Sequence, residues 1–329
     1  MKRLAVIGGG AWGTALASVA VRAGRQIVLW VRDPKLVAAV NQRHENPLYL
    51  PGIALDPALA ATTDPLAATA AADAVLIVVP AQFLRGALTM LMPLMPAGLP
   101  LLLCAKGIEA ESLQTMSEVA AELMPEAAIA VLSGPSFAAE VARGLPTAVT
   151  IASADPALAR AFAAALGTAR FRPYTSNDPL GVEIGGALKN VLAIACGIIE
   201  GHGLGNNARA ALITRGLAEM IRLGLAKGAQ PETFRGLSGL GDLVLTCTAA
   251  QSRNYALGLA LGQGKSSAQA LAGSRSVVEG VATAAAVARL AGRLGIEMPI
   301  TAAVDGVLHH GMAIEVMIDA LLSRPYRSE

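Results

Sequence analysis

The feature that most constrains this chain is a run of glycines near its beginning. Leu4–Ile7 is a short apolar run, long enough for a buried strand and too short for a helix of its own. It leads into the spacing Gly8-x-Gly10-x-x-Gly13, after which Thr14–Ala23 has the composition of a helix. A strand, a glycine-rich turn and a helix in this order predict the first half of a β-α-β unit.

Each glycine of this turn has its own physical role in a dinucleotide-binding site. The absence of a side chain permits the tight turn at Gly8 and lets the backbone approach a pyrophosphate at Gly10. At Gly13 it lets the helix pack closely on the strand. The free N–H groups and the positive dipole end of that helix then face the phosphates. The pattern predicts a dinucleotide site; the alternative is a glycine-rich turn that binds no ligand.

The residues after the second strand bear on which dinucleotide is bound. We predict this strand at Gln26–Val31, and Arg32 and Asp33 follow it. An acid here binds the ribose 2′-hydroxyl of NAD, whereas an arginine accommodates the 2′-phosphate of NADP. Because Arg32 comes first, we expect NADP, or the use of both cofactors. Asp33 precedes Pro34, so its alternative role is to cap the next helix.

Length, charge and hydropathy limit the class of protein. A chain of 329 residues is long enough for two domains with separate cores. The formal net charge is +2 and no basic run is interleaved with aromatic residues, so we expect no nucleic-acid partner. The mean hydropathy of +0.53 is high because alanine is abundant. No apolar run reaches the ~20 residues that a spanning helix needs, so we expect no membrane span.

The cysteines indicate the compartment. Cys104, Cys196 and Cys247 are odd in number and have no C-x-x-C spacing. This usage is typical of a reducing compartment, and it offers no ligand set for a metal. We expect a cytoplasmic protein without a metal site.

From Met1 to about Arg172, short apolar runs alternate with helical periodicity. Such alternation predicts a mostly parallel sheet covered on both faces, a Rossmann-type α/β domain. We predict further strands at Ala74–Val79, Pro100–Cys104, Ala127–Leu132, Thr147–Ala152 and Arg170–Pro173. Helices are predicted between them at Phe83–Met92, Ser112–Leu123, Phe137–Arg143 and Pro156–Leu166. Ligands bind at the carboxyl ends of such strands, here Val79–Gln82, Cys104–Gly107 and Leu132–Ser136.

The second half of the chain has helical periodicity and no strand signals. We predict helices at Val182–Glu200, Asn207–Lys227, Arg253–Gly262, Val281–Leu294 and Ile300–Leu308. We therefore expect a dinucleotide-binding domain at residues 1–177 and an all-helical substrate and catalytic domain at residues 178–329.

Two polar residues interrupt an apolar run in the first helix of this second half. Lys189 and Asn190 lie within Ile184–Ile199, whose other residues are apolar or small. Lysine is almost never fully buried unless it is paired. One interpretation is a lysine whose stem packs in the core while its ammonium group reaches water. The other is a lysine that gives or takes a proton in a reaction.

Polar residues in two further stretches are candidates for the same site. Asp242 lies between glycines and an apolar run, where it would either cap a helix or orient Lys189 electrostatically. Cys247 suggests a nucleophile, but no histidine is near it in sequence, so a small buried residue is the preferred interpretation. Arg253 and Asn254 begin a predicted helix, and such a fork of donors suits a phosphate ester, although a solvated arginine is the alternative.

The motifs together resemble those of the bacterial NAD(P)-dependent glycerol-3-phosphate dehydrogenases. The resemblance runs along nearly the whole chain in the order of the family. Besides Gly8–Gly13 it comprises Ala105–Glu109, Leu132–Ala138, Glu183–Val191, Gly203–Ala208, Gly239–Leu243, Ser252–Asn254 and Val278–Gly280.

The resemblance implies an activity and a role for each matched residue. The enzyme would reduce dihydroxyacetone phosphate to sn-glycerol 3-phosphate, a phospholipid precursor, with NADP(H) and also NAD(H). Its catalytic residues would be Lys189 as the proton donor or acceptor, with Lys106, Asp242 and Thr246. The substrate would contact Lys106, Gly134, Ser136, Lys189, Asp242, Ser252, Arg253 and Asn254. The cofactor would contact Gly8, Gly10, Ala11, Trp12, Gly13, Arg32, Lys106, Ala138, Arg253, Val277 and Glu279.

Two other functions remain open from the sequence. One is another two-domain reductase, of the 3-hydroxyacid or ketopantoate type, some of which carry a lysine and an asparagine on the corresponding helix. The cations at Lys106 and Arg253 argue against it, because they suit a phosphate ester. The other is a non-catalytic dinucleotide sensor, which has no need of Lys189 and Asp242. The glycine- and alanine-rich helices would allow a homodimer, but no feature specifies one.

Overall fold

The computed structural model describes residues 1–272 and 277–325. The chain forms two compact units. The first comprises Met1–Lys106 and Gln114–Glu183, and the second comprises Gly107–Leu113 and Ile184–Glu329. The short segment 107–113 thus belongs to the second unit although it lies within the sequence of the first.

The first unit contains a sheet of eight strands. In spatial order these are β10 (Phe171–Ser176), β9 (Thr147–Ala152), β8 (Ile129–Ser133), β7 (Leu101–Leu103), β6 (Ala74–Ile77), β1 (Arg3–Ile7), β2 (Gln26–Trp30) and β5 (Ala60–Thr62). All neighbours are parallel except β8 and β9. A separate antiparallel pair consists of β3 (Glu45–Asn46) and β4 (Leu50–Ala54). The prediction of a mostly parallel Rossmann-type sheet is confirmed.

Helices cover both faces of this sheet. They are α1 (Ala11–Arg22), α2 (Pro34–Ala38), α3 (Pro65–Thr69), α4 (Leu84–Leu91), α5 (Met116–Leu123), α6 (Ala138–Ala142) and α7 (Pro156–Leu166). On β1, Leu4 and Val6 belong to one apolar core, while Ala5 and Ile7 belong to a second. Because successive side chains of a strand point to opposite faces, the sheet lies between two cores. This arrangement explains why its central strands are apolar throughout.

From Ile184 onward, the regular elements among the described residues of the second unit are helices. The helices are α8 (Pro179–Gly201), α9 (Gly205–Lys227), α10 (Asp242–Thr248), α11 (Arg253–Gly262), α12 (Ser267–Leu271), α13 (Glu279–Leu294), α14 (Pro299–His309) and α15 (Ile314–Leu322). The division between the units falls within α8, between Glu183 and Ile184. By length and composition α8 could cross a membrane, but its apolar window is entirely buried, as in a core helix.

Glycines let α8 and α11 approach closely. A Cβ atom on Gly197 would overlap the backbone of α11 at Tyr255, and one on Gly258 would overlap the backbone of α8 at Ile194. The same holds one turn further along for Gly201 and Gly262. Because four glycines line the contact, the two backbones themselves pack together. This close packing places polar residues near the start of α11 against α8.

The structure and the sequence prediction differ in several elements. The predicted helix Ser112–Leu123 begins only at Met116, because the Thr115 side chain caps it through the N–H of Glu118. The residues before Thr115, up to Leu113, pack with the second unit instead. The β3–β4 hairpin had no counterpart in the prediction, since a strand of two residues has no alternation that a sequence can display.

Glu183 is a buried acid at the last position of the first unit. Its carboxylate accepts hydrogen bonds from the Ser117 backbone N–H at 2.7 Å and from the Ser117 hydroxyl at 2.5 Å. Burial raises the pKa of Glu183 to about 7, although the hydrogen bonds from Ser117 and Thr115 oppose this rise. The folded state therefore binds a proton at Glu183 more tightly than the unfolded chain does.

We predict a pH dependence of stability from this raised pKa. The contribution of Glu183 to the free energy of unfolding falls as the pH rises from 4.5 to about 7, by about 3 kcal/mol. In Glu183→Gln the side chain stays neutral, so the variant should gain stability relative to the wild type over that range. Urea denaturation at about pH 5 and pH 8 measures this. The exposed control Glu126→Gln should lose the same free energy of unfolding between the two pH values as the wild type does. If Glu183→Gln also loses the same amount as the wild type, the prediction is wrong.

Candidate active site

The glycine turn between β1 and α1 is built by three different constraints. Gly8 has a φ of +118°, and a Cβ atom there would lie 2.6 Å from the carbonyl oxygen of Val78. A Cβ atom on Gly13 would overlap the Gly8 carbonyl oxygen. At Gly10, by contrast, the described part of the chain places no atom within 4 Å of a Cβ position, the adjacent residues aside. Protein packing thus requires glycine at Gly8 and Gly13, whereas Gly10 leaves open space where the backbone can meet a ligand.

The start of α1 leaves hydrogen-bond donors unused. Its N-cap is Gly10, which has no side chain to accept from the first turn, and that turn contains no acidic residue. The indole N–H of Trp12 is buried and has no partner among residues 1–272 and 277–325. Uncapped amides at a helix N-terminus favour an anion. The residues present therefore fit a pyrophosphate.

Of the two charged residues after β2, Asp33 has a structural role in the protein and Arg32 is exposed. Asp33 accepts from the backbone N–H of Lys35 at 2.8 Å and caps α2, as its alternative interpretation predicted. Arg32 is exposed, and no carboxylate in the described part of the chain forms an ion pair with it. A guanidinium group at the carboxyl end of this strand is thus available to a ligand.

The strand ends of β7 and β8 bring a second group of predicted residues together. The Lys106 ammonium group donates to the Gly134 carbonyl at 2.9 Å and lies 3.5 Å from the Ser136 hydroxyl. Ser136 also donates to the Gly134 carbonyl, at 2.8 Å. Gly134 has a φ of +133°, which favours glycine at this turn. Ala138 follows as the first residue of α6.

In the second unit, Lys189 lies in a buried polar cluster. Its ammonium nitrogen is 2.6 Å from Asp242 Oδ1 and 3.0 Å from Thr246 Oγ1. Asp242 is 0% exposed and Lys189 is 8% exposed. The interpretation of Lys189 as a lysine with its ammonium group in water is therefore wrong. A lysine at this depth persists because a carboxylate compensates its charge.

Close backbone contact explains why these groups meet. A Cβ atom on Gly185 of α8 would lie 2.5 Å from the Ser238 carbonyl oxygen. Ser238 belongs to the π-helical turn Leu237–Gly241 that precedes α10. Asp242 is the first residue of α10 and Gly241 is its cap, so the capping role considered for Asp242 is wrong. Thr246 follows one turn later and faces the same ammonium group.

Asn190 and Asn254 form a second buried pair. Asn254 Nδ2 donates to Asn190 Oδ1 at 2.9 Å, and Asn254 Oδ1 accepts from the Gly280 N–H at 3.0 Å. Asn254 thus joins α8, α11 and the start of α13. The two asparagines are 64 residues apart in the chain, so no local pattern of the sequence indicates this pair. Ser252 caps α11 by accepting from the Tyr255 N–H at 3.3 Å.

Arg253 interacts with Val277 and Glu279, two of the residues predicted to contact the cofactor. Its guanidinium group donates to the Val277 carbonyl at 2.8 Å, and the carboxylate of Glu279 acts on it electrostatically.

Cys247 is 0% exposed, and burial raises the pKa of its thiol. These observations support its interpretation as a small buried residue over its interpretation as a nucleophile. In residues 1–272 and 277–325 no three potential ligands come together around a metal position.

The first unit is of the Rossmann type and has an uncapped glycine turn, and the helical second unit contains a buried lysine–aspartate pair. These features define the class of two-unit dinucleotide-dependent dehydrogenases. Residues 3–159 match the model of the NAD-dependent glycerol-3-phosphate dehydrogenase N-terminus. Residues 178–319 match that of the C-terminus. The chain belongs to the NAD-dependent glycerol-3-phosphate dehydrogenase family, which confirms the resemblance found in the sequence.

Individual relatives agree with this assignment. The chain is 60% identical over 326 residues to a protein of Rhodospirillum rubrum named glycerol-3-phosphate dehydrogenase [NAD(P)+], covering 99% of this chain and 93% of the relative. A protein of Caulobacter vibrioides with the same name is 58% identical, covering 100% and 99%. The crystal structure of glycerol-3-phosphate dehydrogenase from Coxiella burnetii superimposes with a TM-score of 0.94 at 41% identity, covering 98% and 99%. The hydroxyacid-reductase and sensor alternatives are not favoured.

Proposed function

We propose that the protein reduces dihydroxyacetone phosphate to sn-glycerol 3-phosphate with NADPH or NADH, in a reversible reaction. The observation that carries the proposal is the buried contact of Lys189 with Asp242 and Thr246. A carbonyl reduction needs a proton donor that is held in place where water is scarce, and this cluster supplies one. The family supplies the substrate class and the cofactor.

Lys189 has the chemistry for the proton half of the reaction. A nicotinamide cofactor, when bound at the glycine turn, would supply the hydride to the carbonyl carbon. As an ammonium ion, Lys189 gives a proton to the oxygen of the developing alkoxide; in the reverse direction the amine takes the hydroxyl proton. Asp242 and Thr246 accept hydrogen bonds from the ammonium group and so hold it in position.

The substrate phosphate would be held by residues at the start of α11. The guanidinium group of Arg253 matches phosphate in geometry and charge. Asn254 Nδ2 donates one hydrogen to Asn190 Oδ1, and its second hydrogen would donate to the phosphate. Ser252 accepts from a backbone N–H and can donate its own proton. Gly134, Ser136 and Lys106 are the substrate contacts that we propose in the first unit. Binding the remote phosphate would orient the carbonyl, so binding energy serves catalysis.

The cofactor would occupy the glycine turn and the residues around it. The proposed contacts are Gly8, Gly10, Ala11, Trp12, Gly13, Arg32, Lys106, Ala138, Arg253, Val277 and Glu279. Support comes from the open space at Gly10, the uncapped start of α1 and the indole N–H of Trp12, which has no partner in the part of the chain that the structure describes.

We predict that Arg32→Ala weakens NADPH more than NADH. A charge-assisted hydrogen bond to the 2′-phosphate exists only with NADPH, so the KM for NADPH should rise about tenfold or more, while that for NADH changes about twofold at most. Initial rates with each cofactor measure this, with the exposed Arg160→Ala as the control. An equal loss with both cofactors would remove the argument that Arg32 binds the 2′-phosphate.

The wider role follows from the product. sn-Glycerol 3-phosphate is a building block of glycerophospholipids, so we propose that the enzyme supplies their synthesis in the cytoplasm. The three cysteines, which are buried and free, support a reducing compartment. A homodimer is also proposed, and sedimentation of the purified protein tests it.

The decisive experiment follows nicotinamide absorbance with purified protein and dihydroxyacetone phosphate. NADPH and NADH are run in parallel, and ketopantoate and a 3-oxoacid replace the substrate in matched assays. Turnover of dihydroxyacetone phosphate with little turnover of the others supports the proposal. Preference for an oxoacid would favour the other reductases. Cofactor binding without turnover of any substrate would favour the sensor.

A further inference from the structure

Asn46 is a buried side chain that the proposed site does not use, yet it contacts the glycine turn. It lies at the end of β3 in the first unit and is 0% exposed. Its Nδ2 donates to the carbonyl oxygen of Gly9 at 3.1 Å and to Thr14 Oγ1 at 2.8 Å. Its Oδ1 accepts from the backbone N–H of Tyr49 at 3.0 Å.

These contacts fix the orientation of the amide. Both Nδ2 hydrogens and the carbonyl oxygen of Asn46 are used, so no polar group of the side chain is left without a partner. Turning the amide over would place its oxygen against the Gly9 carbonyl oxygen and its NH2 group against the Tyr49 N–H. Both contacts would be repulsive in a buried site. The amide therefore has one stable position.

The Gly9 carbonyl that Asn46 holds belongs to the same peptide unit as the Gly10 N–H. This peptide is planar and trans, so its C=O and N–H point in opposite directions. Holding the carbonyl on the Asn46 side turns the N–H of Gly10 to the other side. That N–H has no partner among the described residues, and nothing lies within 4 Å of a Cβ position on Gly10.

Asn46 also connects the two ends of the turn. Gly9 lies before the helix, while Thr14 lies in the first part of α1, where its N–H donates to the Gly10 carbonyl at 3.0 Å. One buried amide thus holds both the peptide that precedes the helix and the helix itself. The β3–β4 hairpin, with β4 paired to β3, delivers this amide to the turn.

We propose that Asn46 is a positioning residue for the cofactor: it holds the Gly9–Gly10 peptide so that the Gly10 N–H is ready to donate to the pyrophosphate. The inference rests on the proposed function, because it requires that a dinucleotide binds at this turn. Asn46 itself does not touch the cofactor. Its effect is preorganisation, since a donor already in place need not be ordered when the ligand binds.

The test compares variants that differ in which hydrogen bonds they lose. Asn46→Ala removes both donors to the turn. The control Asn41→Ala also removes two hydrogen bonds between a side chain and the backbone of the same unit. Asn41 Nδ2 donates to the Ala61 carbonyl and Asn41 Oδ1 accepts from the Ala61 N–H, but Ala61 lies on β5. Thr14→Val removes the hydroxyl that Asn46 reaches while keeping the shape, and Thr14→Ser retains that hydroxyl. NADPH dissociation constants come from calorimetry, and kcat and KM from initial rates.

We expect Asn46→Ala to raise the dissociation constant and the KM for NADPH about tenfold or more, with kcat at saturating cofactor changed by less than about threefold. Asn41→Ala should change the dissociation constant by less than about twofold. Thr14→Val should weaken NADPH and Thr14→Ser should restore it. A purely structural role would lower thermal stability in Asn46→Ala and Asn41→Ala without separating their NADPH affinities.

Each outcome decides the inference. The inference is overturned if Asn46→Ala binds NADPH as tightly as the wild type, or if Asn41→Ala changes the dissociation constant by the same factor. The proposed function still stands in either case if the wild-type protein turns over its substrate. If Asn46→Ala does not fold, the Thr14 pair decides, and equal affinities of Thr14→Val and Thr14→Ser overturn the inference. A wild-type protein that binds neither NADPH nor NADH overturns both the proposed function and this inference.

Discussion

Replacement of Lys189 by alanine is expected to lower kcat by about a hundredfold to ten-thousandfold, the range by which a positioned general acid accelerates a reaction. The ammonium group is within hydrogen-bond distance of both Asp242 and Thr246, and its loss removes the cation to which we assign the proton transfer. NADPH binding should be retained, because Lys189 is not among the cofactor contacts that we propose. The KM for the substrate should change less than kcat.

The measurement combines steady-state rates with calorimetric NADPH binding. Alanine also leaves the Asp242 carboxylate buried without its cation, so folding is checked by circular dichroism and Lys189→Met, of similar length, is assayed beside it. The exposed Lys265→Ala is the matched control in the same unit. Near-normal turnover in both Lys189 variants would refute the role assigned to this lysine.

Replacement of Asp242 by alanine is expected to destabilise the second unit by about 3–5 kcal/mol, because it leaves the Lys189 ammonium group buried without a compensating charge. Turnover should fall as well, because a carboxylate no longer orients the ammonium group. Urea denaturation and initial rates at one pH measure the two effects.

A double variant separates the charge effect from packing. Lys189→Met with Asp242→Leu removes both charges and fills much of their volume, so it should regain most of the stability lost in Asp242→Ala. Its kcat should remain as low as that of Lys189→Met. If the double variant is as unstable as the single one, the loss comes from disturbed packing between α8 and the turn before α10, and the buried pair is not its cause.

The glycine turn could be predicted because its determinants are neighbours in the chain. A strand, three glycines and a helix follow one another within β1 and α1, and the structure shows a steric reason for glycine at Gly8 and Gly13 and open space at Gly10. The helical character of α8 was predicted for the same reason, since periodicity is a local property. Lys189 stood out because a lysine in an apolar helix needs a partner.

The partners themselves could not be predicted from spacing. Lys189 and Asp242 are 53 residues apart, and Asn190 and Asn254 are 64 apart. The resemblance to a family assigned roles to most of these residues but gave no physical account of their contacts. Asn46 was missed altogether, because a buried asparagine in a two-residue strand has no periodic signal.

Sequence alone therefore determined the local elements, the two-part α/β and helical organisation, and the residue types that could carry the reaction. Tertiary structure decided which of those residues meet. Backbone contact at Gly185 sets the distance between Lys189 and Asp242, and the hairpin sets the amide of Asn46 against the glycine turn. The physical reason is that local periodicity depends only on neighbouring residues. A hydrogen bond between residues 53 positions apart, such as Lys189 and Asp242, forms only after the helices that carry them have packed together.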